Sequence, residues 1–415
     1  LRDTIKNIYN HHLLEGAAPD YLLIAGNTSI VPYYEGASII TDMYYGEMDG
    51  DGDYIPEIMI GRLPAADTTE LMNITSKIIQ YEKYDYEESN TFASNTLIFT
   101  GYDKSYGYIM NGQVYYGVEN YLLPENNING YHFYHYDVTK DTLIKIINQG
   151  SSFINYTGHG LSTRLLSVDF KTADTALLTN SNKYPVFISN ACETSTFTTN
   201  SLGNTMVKAK NKGMVAFIGS SGPTYWNEDF YWAVGLATPT DTPTYETTAL
   251  GVFDRLFHTH GENPPEWHTT LGEIVYAGNM SVSASTSKYK KRYWERYNIV
   301  GDPSMTPIIG TPDPIIVAIP DTLPNMSTLI SFKGEPFMYA ALSRRDTLLS
   351  ASHIGVSGTV SFKIPEMEND SILLVVTGQN KIPFIKTLYI HDVSGEFITV
   401  TSGTFNDDNG NNNGR

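Results

Sequence analysis

Cysteine is nearly absent from this chain. Cys192 stands alone among 415 residues, so no internal disulfide can form, and the one thiol is there for packing or for chemistry. Long apolar runs are missing too. Stretches such as 213–219 stop far short of the ~20 residues a membrane-spanning helix needs, so no transmembrane segment is expected. Basic residues are few: Lys and Arg number 27 against 45 Asp and Glu, a net charge of −18. The one basic clump, Lys288 to Arg296, is short and laced with aromatics, which argues against nucleic acid as a partner. Charged residues make up only 17%, below the usual ~25%. With 30 tyrosines, that composition points to a secreted or cell-surface protein. The opening at Leu1 has no methionine, basic region or apolar core of a signal peptide, so any such segment is expected to lie outside this chain.

At ~150 residues per domain the length suggests about three packing units, and no staple is needed to hold their cores. Short apolar runs at 21–26 and 57–61 flank a stretch, 68–86, with helical spacing at Leu71, Ile74, Ile78 and Ile79, which predicts an N-terminal α/β subdomain over 1–88. After a polar joint, runs at 95–100, 152–157, 184–189 and 213–220 are continuous rather than alternating. They suit central strands of a parallel sheet covered on both faces, with room for crossover helices between them. The expected second α/β subdomain spans 89–310. Four prolines in 301–314 mark a boundary, and regularly spaced β-rich runs at 315–319, 328–333, 356–364, 371–377 and 385–391 predict a small β-sandwich over 311–402. Residues 403–415 have almost no apolar content and read as a disordered linker.

In an open parallel sheet the ligand crevice lies beyond the carboxyl ends of the strands. The predicted strands run into Gly101-Tyr102-Asp103, Gly158-His159-Gly160, Asn190-Ala191-Cys192 and Ser221-Gly222-Pro223, so one sheet edge gathers Asp103, His159 and Cys192. A cysteine nucleophile needs its thiolate, which an imidazole can stabilise, and backbone N–H groups must meet the oxyanion of an attacked carbonyl. Gly158 and Cys192 are the expected donors of that oxyanion hole.

These motifs resemble those of the gingipain-type cysteine peptidases (peptidase family C25), relatives of the caspases in fold. Tyr156-Thr157-Gly158-His159-Gly160 is similar to their histidine motif and Asn190-Ala191-Cys192-Glu193-Thr194 to their nucleophile motif, and the interval between them fits. The resemblance continues through 219–229 and 300–304 and covers all but the tail. It implies a caspase-like catalytic domain followed by an immunoglobulin-like β-sandwich. It also implies Cys192 as nucleophile, His159 as general acid/base and Asp103 as a carboxylate that orients His159. The Tyr225-Trp226-Asn227-Glu228-Asp229 stretch resembles the lysine-specific members rather than the arginine-specific ones. That implies a substrate pocket in which Thr157 and Asp229 receive a lysine ammonium while Trp226 flanks its methylenes. A carboxylate and an aromatic wall are what such a side chain requires, and Glu228 offers the same chemistry as Asp229.

Asp49, Asp51 and Asp53 alternate with glycines and are followed by Glu57, which suits a hard cation such as calcium. The loop is not an EF-hand, since Tyr54 stands where the glycine belongs and Ile60 where the glutamate belongs. Structural calcium is a property of the resembled family, and no organic cofactor is expected. His258, His260, Glu262, Glu266 and His268 raise a zinc hydrolase as a competing reading, although their spacing lacks the helical His-Glu-x-x-His geometry. Ser220-Ser221 lacks the nucleophile-elbow pattern. The expected function is therefore a secreted cysteine endopeptidase acting on protein and peptide substrates with lysine at P1 through an acyl-enzyme. The alternatives are the same dyad with arginine preference or transpeptidase activity, and a non-catalytic surface binding protein. The resemblance further implies export to the outside or outer-membrane surface of a Bacteroidetes-type bacterium, and inhibition by the protein's own pro-segment.

Overall fold

The computed structural model describes residues 1–35, 40–50, 54–86, 91–135, 137–198, 200–325 and 327–391. The apolar runs become the strands β1 (Tyr21–Ala25), β2 (Met59–Leu63), β3 (Asn95–Thr100), β5 (Phe153–Thr157), β6 (Val186–Asn190) and β7 (Ala216–Ser220), to which the structure adds two strands the runs did not mark, β4 (Asn129–Phe133) and β8 (Tyr297–Val300). They form one eight-stranded sheet in the order β1-β2-β8-β7-β6-β5-β3-β4. All five residues of β5, β6 and β7 are buried, as expected for central strands covered on both faces. The helices are α1 (Arg2–Leu14), α2 (Thr68–Glu82), α3 (Gly107–Asn120), α4 (Lys140–Gln149), α5 (Leu202–Lys208), α6 (Trp226–Val234), α7 (Val252–Phe257), α8 (Leu271–Ala284) and α9 (Lys290–Arg296).

Neighbouring strands pair in parallel except β8 with β7, so β1, β2 and β8 run opposite to the other five. Through β8 the strands of 1–88 join the same sheet as those of 89–310. The chain accordingly forms two compact units, Leu1–Pro312 and Asp313–Arg415. The division expected at 88/89 falls inside the first unit, and the boundary expected at 310/311 lies at 312/313. In α2, Asp67 caps the first turn by accepting from Glu70 N–H at 2.8 Å. Ile74 and Ile78 are buried as the spacing predicts, whereas Ile79 is 51% exposed and the helix ends at Glu82.

The second unit has its own core. Thr322–Pro324, Phe384–His391, Asp370–Thr377, Tyr339–Arg344 and Thr347–His353 make a five-stranded sheet in that order, and Leu329–Lys333 pairs with Thr359–Lys363. Both members of the latter pair alternate exposed and buried residues, the period-2 pattern of a half-buried strand. Phe332, Phe362, Leu342 and Leu374 from the two sheets meet in one hydrophobic cluster, as in a β-sandwich. The run expected at 315–319 forms only an isolated bridge, Ala318 to Lys333. The expected linker, 403–415, lies outside the described residues.

Candidate active site

Strand register brings the three reactive loops together. Thr100 of β3 pairs with Thr157 of β5, and Thr157 with Asn190 of β6, so the chain leaves the three strands at one level and delivers Asp103, His159 and Cys192 to one edge. Asp103 precedes α3. Its Oδ1 accepts from Ser105 N–H at 2.7 Å and Tyr106 N–H at 2.8 Å, while its Oδ2 faces His159 Nε2 at 3.0 Å. Desolvation raises its pKa, but the two backbone N–H groups and His159 outweigh that and hold it below the usual carboxylate range.

His159 is fixed on several sides. Tyr156 OH donates to His159 O at 2.9 Å, and Trp226 meets the imidazole edge to face with centroids 5.0 Å apart. Tyr106 in turn stacks on Trp226 at 5.8 Å. The glycine before His159 is required sterically, because a Cβ at Gly158 would stand 2.5 Å from the Tyr156 hydroxyl.

Cys192 is a free, partly buried thiol. Thr224 N–H points at its Sγ from 3.4 Å, and Thr224 O and Oγ1 lie at 3.9 Å. Burial pushes the thiol pKa up, Asp229 and Glu193 add to the rise, and the Thr224 contacts offset it only in part. Burial therefore disfavours the thiolate in the resting site, and a base must take the thiol proton. The next residue, Glu193, adopts φ +62°, a left-handed conformation uncommon outside glycine, and donates its N–H to Gly222 O at 3.0 Å.

Asp229 sits in the first turn of α6 and is 1% exposed. Tyr293 OH donates to its Oδ1 at 2.7 Å, and Tyr297 OH lies 3.0 Å from the same oxygen and 3.2 Å from Asn190 Oδ1. No Lys or Arg neutralises it among the described residues. Burial pushes its pKa up to about 7 against the hydrogen bonds of Tyr293, Thr224 and Tyr297. Thr157 Oγ1, also fully buried, has no hydrogen-bond partner among the described residues. A buried carboxylate without a cation is a costly arrangement, as is a buried unsatisfied hydroxyl, and such acceptors are complementary to a group rich in N–H donors such as a primary ammonium. Glu228, which offered the same chemistry in sequence, is engaged elsewhere: its Oε1 accepts from Ser287 OH at 2.5 Å.

The structure thus brings Asp103, His159, Cys192, Thr157, Trp226 and Asp229 to one end of the sheet, together with Asn190, Thr224, Tyr293 and Tyr297. No motif spacing ties the two tyrosines to Cys192, and only the return of β8 to the sheet places them there. Gly158 requires correction as an oxyanion donor, because its N–H is already given to Asn190 O at 3.1 Å. Of the acidic loop, Asp51 and Asp53 lie outside the described residues, and Glu57 Oε2 accepts from Met48 N–H. His258 stacks on Trp267 at 4.0 Å and His260 on Tyr245 at 4.2 Å. Among the described residues no group of three or more His, Cys, Asp or Glu is placed to hold a metal ion, so the zinc reading gains nothing.

Residues 1–308 match the model of peptidase family C25. A Lys-gingipain of Porphyromonas gingivalis is 32% identical over 94% of this chain, which spans 23% of that relative's length. A solved structure described as a protease superposes with a TM-score of 0.86 at 30% identity, covering 94% of this chain and 87% of that one. The Arg-specific cysteine proteinase gingipain R, 21% identical, shares the fold with a TM-score of 0.78 over 94% of this chain and 88% of its own.

Proposed function

The chain belongs to peptidase family C25, and from that premise we propose that it is a cysteine endopeptidase cleaving on the carboxyl side of lysine. The substrate ammonium enters between Asp229 and Thr157, where it supplies the charge and the N–H donors those buried groups lack, and Trp226 covers the lysine methylenes. With His159 Nε2 committed to Asp103, Nδ1 is left to take the Cys192 proton. Sγ then attacks the carbonyl carbon, and the carbon–oxygen π pair moves onto oxygen. Cys192 N–H and Gly160 are the donors left for that oxyanion; Gly160 abuts the nucleophile, since a Cβ there would meet Cys192 O at 2.6 Å. Collapse breaks the carbon–nitrogen bond as the imidazolium protonates the leaving amine. A water that gives its proton to His159 then hydrolyses the thioester, releasing the new carboxyl end and restoring the thiol. Asp103 fixes the imidazole and stabilises its protonated form.

The observation that carries the lysine assignment is the buried carboxylate of Asp229, which no Lys or Arg neutralises among the described residues; the buried Thr157 hydroxyl, without a hydrogen-bond partner among the described residues, supports it. The name and 32% identity of the Lys-gingipain support it. A structural calcium ion at the loop of Asp49, Asp51, Asp53 and Glu57 belongs to the proposal. Its carboxylates suit a hard cation, and a chelator is expected to lower the melting temperature. Export from the cell and inhibition by a pro-segment belong to it as well. The deciding experiment is hydrolysis of matched fluorogenic peptides with Lys, Arg, norleucine or Asp at P1, beside a Cys192→Ala control. Turnover confined to lysine and abolished in the control is expected. Preference for arginine would overturn the pocket assignment, and silence on all four would overturn the peptidase reading.

A further inference from the structure

The short helix α9 has two differently furnished faces. On one, Lys291 Nζ lies 3.6 Å from Glu295 Oε1, which also accepts from Tyr44 OH at 3.0 Å. On the other stand Arg292 and Arg296, four residues apart and so on one side of the helix. Neither meets a carboxylate among the described residues. Arg292 is exposed and lies over the Tyr289 ring at 4.9 Å and the Tyr225 ring at 5.9 Å. Those two rings stack in parallel at 3.6 Å, and Arg292 Nη1 donates to Tyr225 OH. Arg296 Nη1 donates to Pro223 O at 2.6 Å, and Arg296 O accepts from Ser221 N–H at 2.8 Å.

Both guanidinium groups therefore rest on residues 222–225, the segment that walls the nucleophile. Thr224 within it touches Cys192 Sγ, and Trp226 immediately after it packs on His159. In a chain of net charge −18, two guanidinium groups on one side of a helix, left without carboxylates among the described residues and resting on the segment that touches Cys192 Sγ, are an anion site awaiting its anion. A stacked ring pair and a carbonyl already hold them, so a ligand orders little more on binding. Their remaining N–H donors match the planar, two-oxygen geometry of a carboxylate. We infer that Arg292 and Arg296 form a subsite for an acidic side chain of the substrate, located within a few residues of the scissile lysine. The inference rests on the peptidase reading and deepens it, because the molecule reaching this place is a polypeptide and the anions a polypeptide carries are carboxylates.

The test uses the full chain and peptides with lysine fixed at P1 and Asp, Asn, Glu or Gln scanned through the two positions on either side. At one position the acidic peptide is expected to exceed its amide counterpart about fivefold in kcat/KM at low salt, with the ratio falling toward one as ionic strength rises. Arg292→Gln and Arg296→Gln should each reduce that ratio. Arg292→Glu should invert it in favour of a lysine at the same position, whereas Lys291→Gln, at a side chain already paired with Glu295, should leave it as in the native protein. Acid-to-amide ratios of one at all four positions, or a preference that Arg292→Glu does not change, would overturn the inference. Anisotropy of the same labelled peptides on the Cys192→Ala chain reads the preference without turnover. If no lysine peptide is cleaved the peptidase reading fails, and the binding arm still decides the subsite: equal affinity for acid and amide peptides sinks it.

Discussion

Asp229 couples the stability of the molecule to its proposed selectivity. Its pKa is raised from 3.8 to about 7 by burial. Between those values the folded chain holds a proton that the unfolded chain has lost, so stability falls as pH rises across the window. Asp229→Asn removes that cost and is expected to raise stability by roughly 1–3 kcal/mol at pH 8, seen as a higher melting temperature. The same change should weaken lysine processing by about 2–5 kcal/mol, the usual loss when one member of a desolvated charge pair is removed. In the native protein the ratio of kcat/KM for lysine over norleucine should climb through about pH 7 as Asp229 ionises. Taking the ratio cancels any pH dependence common to the two substrates, and a flat profile would remove Asp229 from the pocket. Asp103→Asn tests the other carboxylate. An asparagine keeps an oxygen for Ser105 and Tyr106 N–H but turns an NH₂ toward His159 Nε2, forcing the ring proton onto Nδ1, where the Cys192 proton must go. Turnover should fall at least roughly 100-fold with KM little changed; a change confined to KM would refute the role. Cys192 and His159 were legible in sequence because strand ends in a parallel sheet share an edge and their motifs are local. Tyr293 and Tyr297 were not, since their place depends on a strand pairing between distant segments. The oxyanion assignment of Gly158 failed for a related reason, because which backbone N–H is already spent is a property of the register.

At the scale of elements, the central strands were legible because burial on both faces leaves an uninterrupted apolar run. β8 was not, being four residues long behind a basic, aromatic stretch, and in the second unit the strands Tyr339–Arg344 and Thr347–His353 were missed because each mixes polar residues into partly exposed faces. Lys77 is an instance of tertiary context overriding side-chain type. It belongs to α2, yet it is 2% exposed, and its ammonium donates to Val207 O at 2.6 Å, Met214 O at 2.9 Å and Lys212 O at 3.2 Å. The contacts pin α2 to the end of α5 and to the turn leading into β7. With no carboxylate among these partners, burial lowers the pKa to about 7. Between about 7 and 10.5 the unfolded chain then carries the proton that the folded chain has released, so this contribution to stability grows with pH. Lys77→Met keeps the volume but leaves the carbonyls without their donor, at a cost of roughly 1–3 kcal/mol near neutrality. The gap between native and variant stability should widen from pH 7 to pH 10 in denaturant titrations. A gap that stays constant or narrows would mean the lysine stays charged in the fold.

For the molecule as a whole, the boundary was legible within a few residues because proline-rich sequence interrupts both patterns there, while the unity of residues 1–312 was hidden in the pairing of β2 with β8. The two units have separate cores. Tyr156, Ile188 and Phe217 belong to the first hydrophobic cluster, and Leu374, Leu342 and Phe362 to the second. Every residue assigned to the proposed chemistry lies in the first unit, which also contains the whole family match at 1–308. If each core supports its own unit, damage to one should not spread to the other. Leu374 is fully buried in the second core, and Leu374→Ala should cost roughly 2–5 kcal/mol there through lost burial and the cavity left behind. Scanning calorimetry should show one transition moved to lower temperature and a second left in place, with lysine-peptide hydrolysis unchanged at temperatures below both. A single transition that moves as one, or hydrolysis that falls in step with the second core, would instead make the β-unit part of the cooperative structure that holds Cys192 and His159 in register.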